Sequence, residues 1–446
     1  MTTQSESSVL NNNCLDHILN MAKSHTVCAA EDIVDSRGTL LLAKGKEVDE
    51  RLNENLLARK LQRPLETSLV VKDGVNVNWL IEEAKSVFAN NHSISAFANA
   101  YSKHILKSLA AIRLCPAASL LLTALHDARH HAFTHAVEVA ILASAIGIHL
   151  DLSEDDLQRL IISGLLHDIG ELYINTSYLD LKRALTPAEW KHVAVHPKLS
   201  EMAIASFMDY PKSVVSAVAE HHERIDGTGY PRSLSGQDIS RNGQILSMAE
   251  TLSGVLKNRH HPIARATLAV KLIPGEFSAE IINAMVGMRR VSSGGILCEF
   301  PGTSEGIEVL IQNTKMISLA LSKSFHECES LKSVFLSKSA LELSKVVESR
   351  LLRLRKSLNA VGLGDYFSEN YLDTLSCEGH DEMYLELEVI SSEIGWRLRD
   401  LAREITIKLE SLAEEDKSSF IPLVLCLDRR NEVSEPVVSD KEAIAA

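Results

Sequence analysis

Histidine is crowded into one part of this chain. Of 18 histidines in 446 residues, twelve fall between His126 and His261. A generic helical domain would spread them more evenly. A neutral imidazole nitrogen is a good ligand for zinc, iron, manganese or nickel, so the crowding points to a metal centre. The spacing sharpens this. His135 falls in an apolar helical segment, Phe133–Gly147. His167 and Asp168 close a helix opened by Ser153-Glu-Asp-Asp156, which resembles a capping box ahead of Leu157, Leu160, Ile161 and Leu165. His196-Pro197 follows a helix opened by Thr186-Pro-Ala-Glu189, with proline at its first position. His221-His222 end a helix that starts after Pro211, and Glu250 sits in a further helix. A helical bundle can converge side chains from several helices on one centre.

Each of these residues alone says little. A lone histidine is more often a hydrogen-bonded core residue than a ligand. The pairs His130-His131 and His260-His261 read as surface or loop residues, although His131 stands one turn before His135. As a set, His135, His167, Asp168, His196, His221 and His222 outweigh the core-residue reading. With Glu250 they exceed the needs of one tetrahedral ion, so two metal ions are expected, with Asp168 bridging them. Such a pair can acidify a water and polarise a phosphoryl oxygen, which suits phosphoester hydrolysis.

The rest of the chain sets the frame. Hydrophobic residues make up 45 % and charged residues 24 %, ordinary for a globular protein. The net charge of −13 argues against broad nucleic-acid binding, so DNA is not an expected partner. A local basic pocket for a small phosphorylated ligand stays compatible with it. Seven scattered cysteines with no CxxC pair argue against a disulfide framework and a thiolate zinc cluster, and fit a reducing compartment. The polar start MTTQSESSVLNNN lacks the order of a signal peptide. The best membrane candidate, Val139–Leu150, is short and reads as a buried helix. No membrane span and a cytoplasmic location are the expectations.

Three regions differ in texture. Residues 1–78 read as a small β/α module, or as an N-terminal extension of the neighbouring helical domain. It has strand-like runs at Thr26–Val34, Thr39–Leu42 and Thr67–Val71, a turn at Asp35-Ser-Arg-Gly38, and a helix over 49–61. Residues 79–302 are helical and carry the candidate metal site. Residues 303–428 are helical but chemically plain, with apolar spacing over Leu331–Leu358 and Glu382–Leu412. A helical bundle is the preferred reading there; a segment that pairs two copies into a homodimer is the sharper one. The tail, 429–446, is polar and expected to be disordered. The fold class expected is mainly α.

Two segments now carry a resemblance. His167-Asp-Ile-Gly170 and His221-His-Glu-Arg-Ile-Asp-Gly-Thr-Gly-Tyr-Pro231 resemble the two signatures of HD-GYP domains, a branch of the HD phosphohydrolase superfamily. The resemblance covers about a third of the chain. It implies an all-helical domain that hydrolyses cyclic di-GMP to pGpG or GMP, in bacterial second-messenger signalling. Two divalent ions are implied, iron or manganese first and zinc or nickel next. The implied ligands are His135, His167, Asp168, His196, His221, His222 and Glu250. Asp168 and Glu171 are the implied catalytic positions; Gly229, Tyr230 and Arg259 are the implied substrate contacts, and cyclic di-GMP or a related nucleotide is the implied partner.

The departures lie on the substrate side. Glu171 replaces the lysine that usually follows His-Asp-Ile-Gly and is thought to face the scissile phosphate. Glu250 stands for the usual aspartate, Gln244 for an arginine, Ser200 for a glycine and Pro262 for a basic residue; Leu181-Lys182-Arg183 replaces Lys-Pro-Gly. These departures motivate a second reading, a degenerate domain that senses cyclic di-GMP or docks partners without hydrolysis. They also leave room for another nucleotide or phosphoester as substrate.

Overall fold

The computed structural model describes residues 13–48, 61–179, 185–256, 262–292, 304–334, 336–360 and 381–428. The chain divides into two compact units, Met1–Asp180 with His192–Ile296, and Leu181–Lys191 with Leu297–Ala446. The architecture is mainly α.

The first unit opens with a helix, α1 (13–21), and two antiparallel ladders. Strand β1 (Val27–Ala29) pairs with β4 (Leu69–Val71), and β2 (Ile33–Val34) with β3 (Leu40–Leu42). The expected turn is present: the Asp35 carboxylate accepts the Arg37 and Thr39 N–H groups at 2.9 and 2.8 Å, and Gly38 has φ +82°. The run Thr67–Val71 is only partly a strand. It begins inside a helical turn, α2 (Leu65–Ser68), because the Thr67 hydroxyl bonds back to the Pro64 carbonyl at 2.7 Å. Of the helix expected over 49–61, residues 49–60 lie outside the described residues, as does the tail 429–446.

Helices α3 (Val77–Asn90), α4 (His92–Ala98), α5 (Ser102–Ala111) and α6 (Pro116–Ala128) lead to α7 (His130–His149). Helix α7 is apolar on nearly every side. By length and composition it could cross a membrane, but 72 % of its apolar window is buried, so it serves as the central core helix. It packs on α8 (Glu154–Leu166), and the pair is followed by a 3₁₀ turn, Ile169–Tyr173. Next come α9 (Pro187–Ala194), which belongs to this unit only from His192 on, α10 (His196–Phe207) and α11 (Lys212–Glu220). Helices α12 (Arg241–Leu256), α13 (Pro262–Lys271) and α14 (Ala279–Ser292) complete the unit.

One core runs through all of this. Ile18, Met21 and Leu69 belong to the same buried cluster as Leu80, Leu121, Ile141 and Met285. Residue 78 therefore does not divide two cores. The N-terminal part also grips the 3₁₀ turn: Tyr173 donates its hydroxyl to Glu66 at 2.6 Å, and Asn13 donates to the Tyr173 carbonyl at 3.2 Å.

In the second unit, α15 (Ser304–Leu331), α16 (Lys338–Ala360), α17 (Asp381–Leu409) and α18 (Glu414–Asp428) pack as a helical bundle. The apolar run expected to continue from Leu331 is interrupted. Helix α15 ends there, and α16 restarts with the Ser337 hydroxyl accepting the Ala340 N–H at 3.3 Å. Tyr384, Phe420, Val347 and Leu398 fill the interior, each at most 1 % exposed.

The contact of α7 with α8 is set by a glycine. A Cβ on Gly164 would lie 2.6 Å from the Ala140 Cα, so the two backbones meet where no side chain fits. Gly164→Val should destabilise the chain by about 1–3 kcal/mol through overpacking. Gly254 lies in α12 with nothing within 4 Å of its Cβ position. Gly254→Ala should therefore stabilise by about 0.5–1 kcal/mol. Thermal unfolding of both variants, with opposite signs expected, checks the packing.

Candidate metal centre

The seven predicted donors come together in two sets. Asp168, His196, His221 and His222 form one; His135, His167 and Glu250 form the other. Within each set one ligand atom per residue lies within 4.8 Å of all the others. His167 and His221 are fully buried, and His196 is 3 % exposed.

Helix ends build the site. His167 follows the last residue of α8, and its Nδ1 lies 2.7 Å from the Gly164 carbonyl three residues back. His196 opens α10, rather than ending α9, yet its Nδ1 meets the Val193 carbonyl at 2.8 Å in the same way. His221 follows α11, and its Nδ1 meets the Val218 carbonyl at 2.6 Å. A carbonyl can only accept, so each Nδ1 must carry the proton. These bonds satisfy carbonyls that a helix terminus would otherwise leave orphaned. His135, in α7, reaches the same state by another route. Its Nδ1 lies 3.0 Å from the Ser253 hydroxyl, which itself donates to Glu138 at 3.3 Å.

All four rings therefore turn Nε2 inward. In neutral rings that atom bears a lone pair. The Nε2 atoms of His196 and His221 lie 3.0 Å apart, an arrangement of two acceptors that requires a proton or a cation between them. Asp168 divides its two oxygens. Oδ1 lies 3.1 Å from His196 and 3.5 Å from His221; Oδ2 lies 3.1 Å from His167 and 3.8 Å from His135. Glu250 Oε2 lies 3.0 Å from His135 and 3.4 Å from His167. His167 Nε2, Asp168 Oδ1 and Glu250 Oε2 are buried without a hydrogen-bond partner. Orphaned donors of this kind, nitrogen and carboxylate oxygen facing one another, fit a divalent cation.

The electrostatics agree. Burial works against charge on His167, but the Asp168 and Glu250 carboxylates outweigh it and hold its pKa well above the usual value. Burial would raise Asp168 and Glu250, yet the neighbouring imidazoles hold both well below the usual carboxylate range. His221 is pushed down to about 4 and His222 well down, first by burial and then by the charge of the other histidines. The two carboxylates thus favour positive charge beside His167, which a cation would supply.

The second signature forms a loop against this cluster. Tyr230 stacks on His222, with ring centroids 4.5 Å apart and planes 19° from parallel. Gly227 supplies φ +80°. At Gly229 a Cβ would fall 2.4 Å from the Glu223 Cα and Arg224 N, so the loop closes on its own backbone there. Glu223, 1 % exposed, accepts the N–H groups of Arg232 and Leu234 at 2.7 and 2.9 Å. Arg224 donates to Ser247 and Thr251, tying the loop to the helix that bears Glu250.

Other residues find places the sequence did not reveal. Ser200 bridges the first signature to α10: it accepts the Gly170 N–H at 2.8 Å and donates to the His167 carbonyl at 2.6 Å. Gln244 turns back to the Ile239 carbonyl at 3.1 Å. Glu171 pairs with Arg129, the residue before α7. Arg259 lies outside the described residues.

Comparison with known proteins agrees with this geometry. Residues 119–272 match the HD domain family. Over 130 residues the chain is 32 % identical to 3'3'-cGAMP-specific phosphodiesterase 3 of Vibrio cholerae, covering 29 % of this chain and 28 % of that protein. It is 27 % identical over 206 residues to a cyclic di-GMP phosphodiesterase of Pseudomonas aeruginosa, covering 45 % and 50 %. It is also 27 % identical over 266 residues to 3'3'-cGAMP-specific phosphodiesterase 1 of Vibrio cholerae, covering 59 % and 55 %. The matched stretch thus spans 28 % to 55 % of these relatives. Residues 119–272 thus match the HD domain family, are similar in sequence to cyclic-dinucleotide phosphodiesterases, and carry the two segments that resemble HD-GYP signatures.

Proposed function

We propose that this chain is a metal-dependent phosphodiesterase that hydrolyses cyclic di-GMP to pGpG or GMP. One observation carries the reading: Asp168 faces His196 and His221 with one oxygen and His135 and His167 with the other. A carboxylate so shared is the natural bridge between two divalent ions. His196, His221 and His222 would hold one ion, and His135, His167 and Glu250 the other. The pair would supply Lewis-acid charge beside the phosphodiester and lower the pKa of a water. Iron or manganese suits a mixed imidazole and carboxylate set.

The chain's own residues do the rest. Carbonyl bonds at His167, His196 and His221, and Ser253 at His135, lock the ring orientations. The half-buried Tyr230 ring stacks on His222, and an aromatic side chain there suits contact with a nucleobase. The relatives include phosphodiesterases of cyclic di-GMP and of 3'3'-cGAMP, so both nucleotides belong in the assay. The second reading, binding without turnover, is favoured by Glu171, a carboxylate close to where an anionic substrate would sit.

Purified chain loaded with Mn²⁺ or Fe²⁺ should convert cyclic di-GMP to pGpG or GMP. His167→Ala should lose bound metal and at least roughly 100-fold in turnover. Tight cyclic di-GMP binding without product, at full metal occupancy, would decide for the sensor reading.

Metal uptake should also release protons. His167 is protonated in the metal-free cluster because its pKa is raised, and a ligating imidazole must be neutral. At pH 7, titrating Mn²⁺ or Zn²⁺ into metal-free protein should release about one proton or more per chain. Calorimetry in two buffers of different ionisation enthalpy measures this. The released count should fall as the pH rises above the raised His167 pKa.

A further inference from the structure

The lysine that HD-GYP domains usually carry after His-Asp-Ile-Gly is a glutamate here, which reverses a charge beside the expected phosphodiester. The structure pairs that glutamate with a cation from elsewhere in the chain. Glu171 lies in the 3₁₀ turn directly after Asp168, and its N–H donates to the Asp168 carbonyl at 2.9 Å. Its carboxylate binds the Nη1 group of Arg129. Arg129 precedes α7, the helix that presents His135. Both side chains of this pair are 14 % exposed, so the pair has little water around it. The Asp168 and His196 charges both act on Glu171, which puts the pair within electrostatic reach of the metal donors.

A guanidinium differs from the ammonium it would replace. It carries five N–H donors in a rigid plane, so one edge can hold a carboxylate while another meets phosphate oxygens. Arg129 uses Nη1 on Glu171, and its Nη2 lies 3.3 Å from His131 Nε2. Pinning by Glu171 would fix the plane before substrate arrives, which lowers the entropic cost of the contact.

We infer that Arg129, held in place by Glu171, binds the phosphodiester of the substrate in place of the missing lysine. Glu171 is then a positioning residue. This rests on the phosphodiesterase reading above.

The test compares full-length wild type, Arg129→Met, Arg129→Lys and the double variant Arg129→Met with Glu171→Lys, all loaded with Mn²⁺. Bound metal and Tm are measured for each. Arg129→Met should raise KM for cyclic di-GMP about tenfold or more at unchanged metal content. The double variant, which returns a lysine to position 171, should recover most of that loss. Arg129→Lys should recover less, because an ammonium lacks the rigid fork that offers one edge to Glu171 and another to the phosphate. An unchanged KM in Arg129→Met, or loss of metal from it, overturns the inference. So does a double variant no better than the single one. Bis(p-nitrophenyl) phosphate separates the two proposals. If wild type hydrolyses only that diester, the cyclic di-GMP reading fails and Arg129 is judged on the KM for that diester. A wild type that takes no phosphodiester overturns both.

Discussion

Three imidazole N–H groups bonded to the carbonyl three residues behind them hold this site together. His167, His196 and His221 each stand just beyond a helix, and each satisfies a carbonyl of that helix's last turn. The bond does two things at once. It closes the helix terminus, and it fixes the tautomer so that Nε2 faces the centre. The C-terminal ends of α8, α9 and α11 consequently meet around one small volume. A helix C-terminus carries partial negative charge of about half an electron, so three of them favour a cation there. The same dipoles disfavour an anion, which is why an anionic substrate needs positive charge delivered by metal ions and by a residue such as Arg129.

The metal side and the substrate side of the site follow different rules. Metal donors are constrained by ligand chemistry, and a carboxylate one methylene longer, Glu250, still lies 3.0 Å from His135 Nε2. Charges that meet substrate need only arrive at the right place, and they can come from any element that borders it. The exchange of lysine for glutamate at position 171 is thus compatible with hydrolysis, because Arg129 comes from the adjoining turn. Judged by position 171 alone, the chain looks unfit for an anionic ligand. Judged by the pair, the local charge is close to neutral rather than negative.

Much of this was legible in the sequence because ligand chemistry leaves few residue types to choose from. Five histidines, Asp168 and Glu250 could be picked out as the seven donors, and the structure gathers them into two sets. The capping box at Thr186 was equally legible: the Thr186 and Glu189 backbone N–H groups are each bonded by the other residue's side chain, at 2.8 and 3.0 Å. What was not legible depends on contacts between distant segments. Ser200 looked like a departure from a glycine, and only the packing of α10 on the first signature reveals that its hydroxyl joins them. Ser253 lies 118 residues from His135, and no local pattern links the two. Arg129 reads as an ordinary charged residue between helices until Glu171 is placed beside it. The strand expected from Thr67 starts two residues late, at Leu69, for a local reason, since side-chain hydroxyls bonding to Pro64 favour a helical turn over an extended start.

The N-terminal part gains significance from where it holds on. The 3₁₀ turn Ile169–Tyr173 starts next to Asp168 and contains Glu171, so a shift in that turn moves both the Asp168 carboxylate and the partner of Arg129. Tyr173, at the end of the turn, is held by Glu66 and Asn13, which both belong to the first 78 residues. Gly170, in its middle, sits so close to α10 that a Cβ would fall 2.2 Å from the His196 carbonyl. The turn is therefore clamped on one side by the helix that presents His196 and on the other by the N-terminal segment. The N-terminal segment is thus joined to the turn beside Asp168 by those hydrogen bonds, and Leu69 and Ile18 lie in the same close-packed core as the helices that carry the histidines.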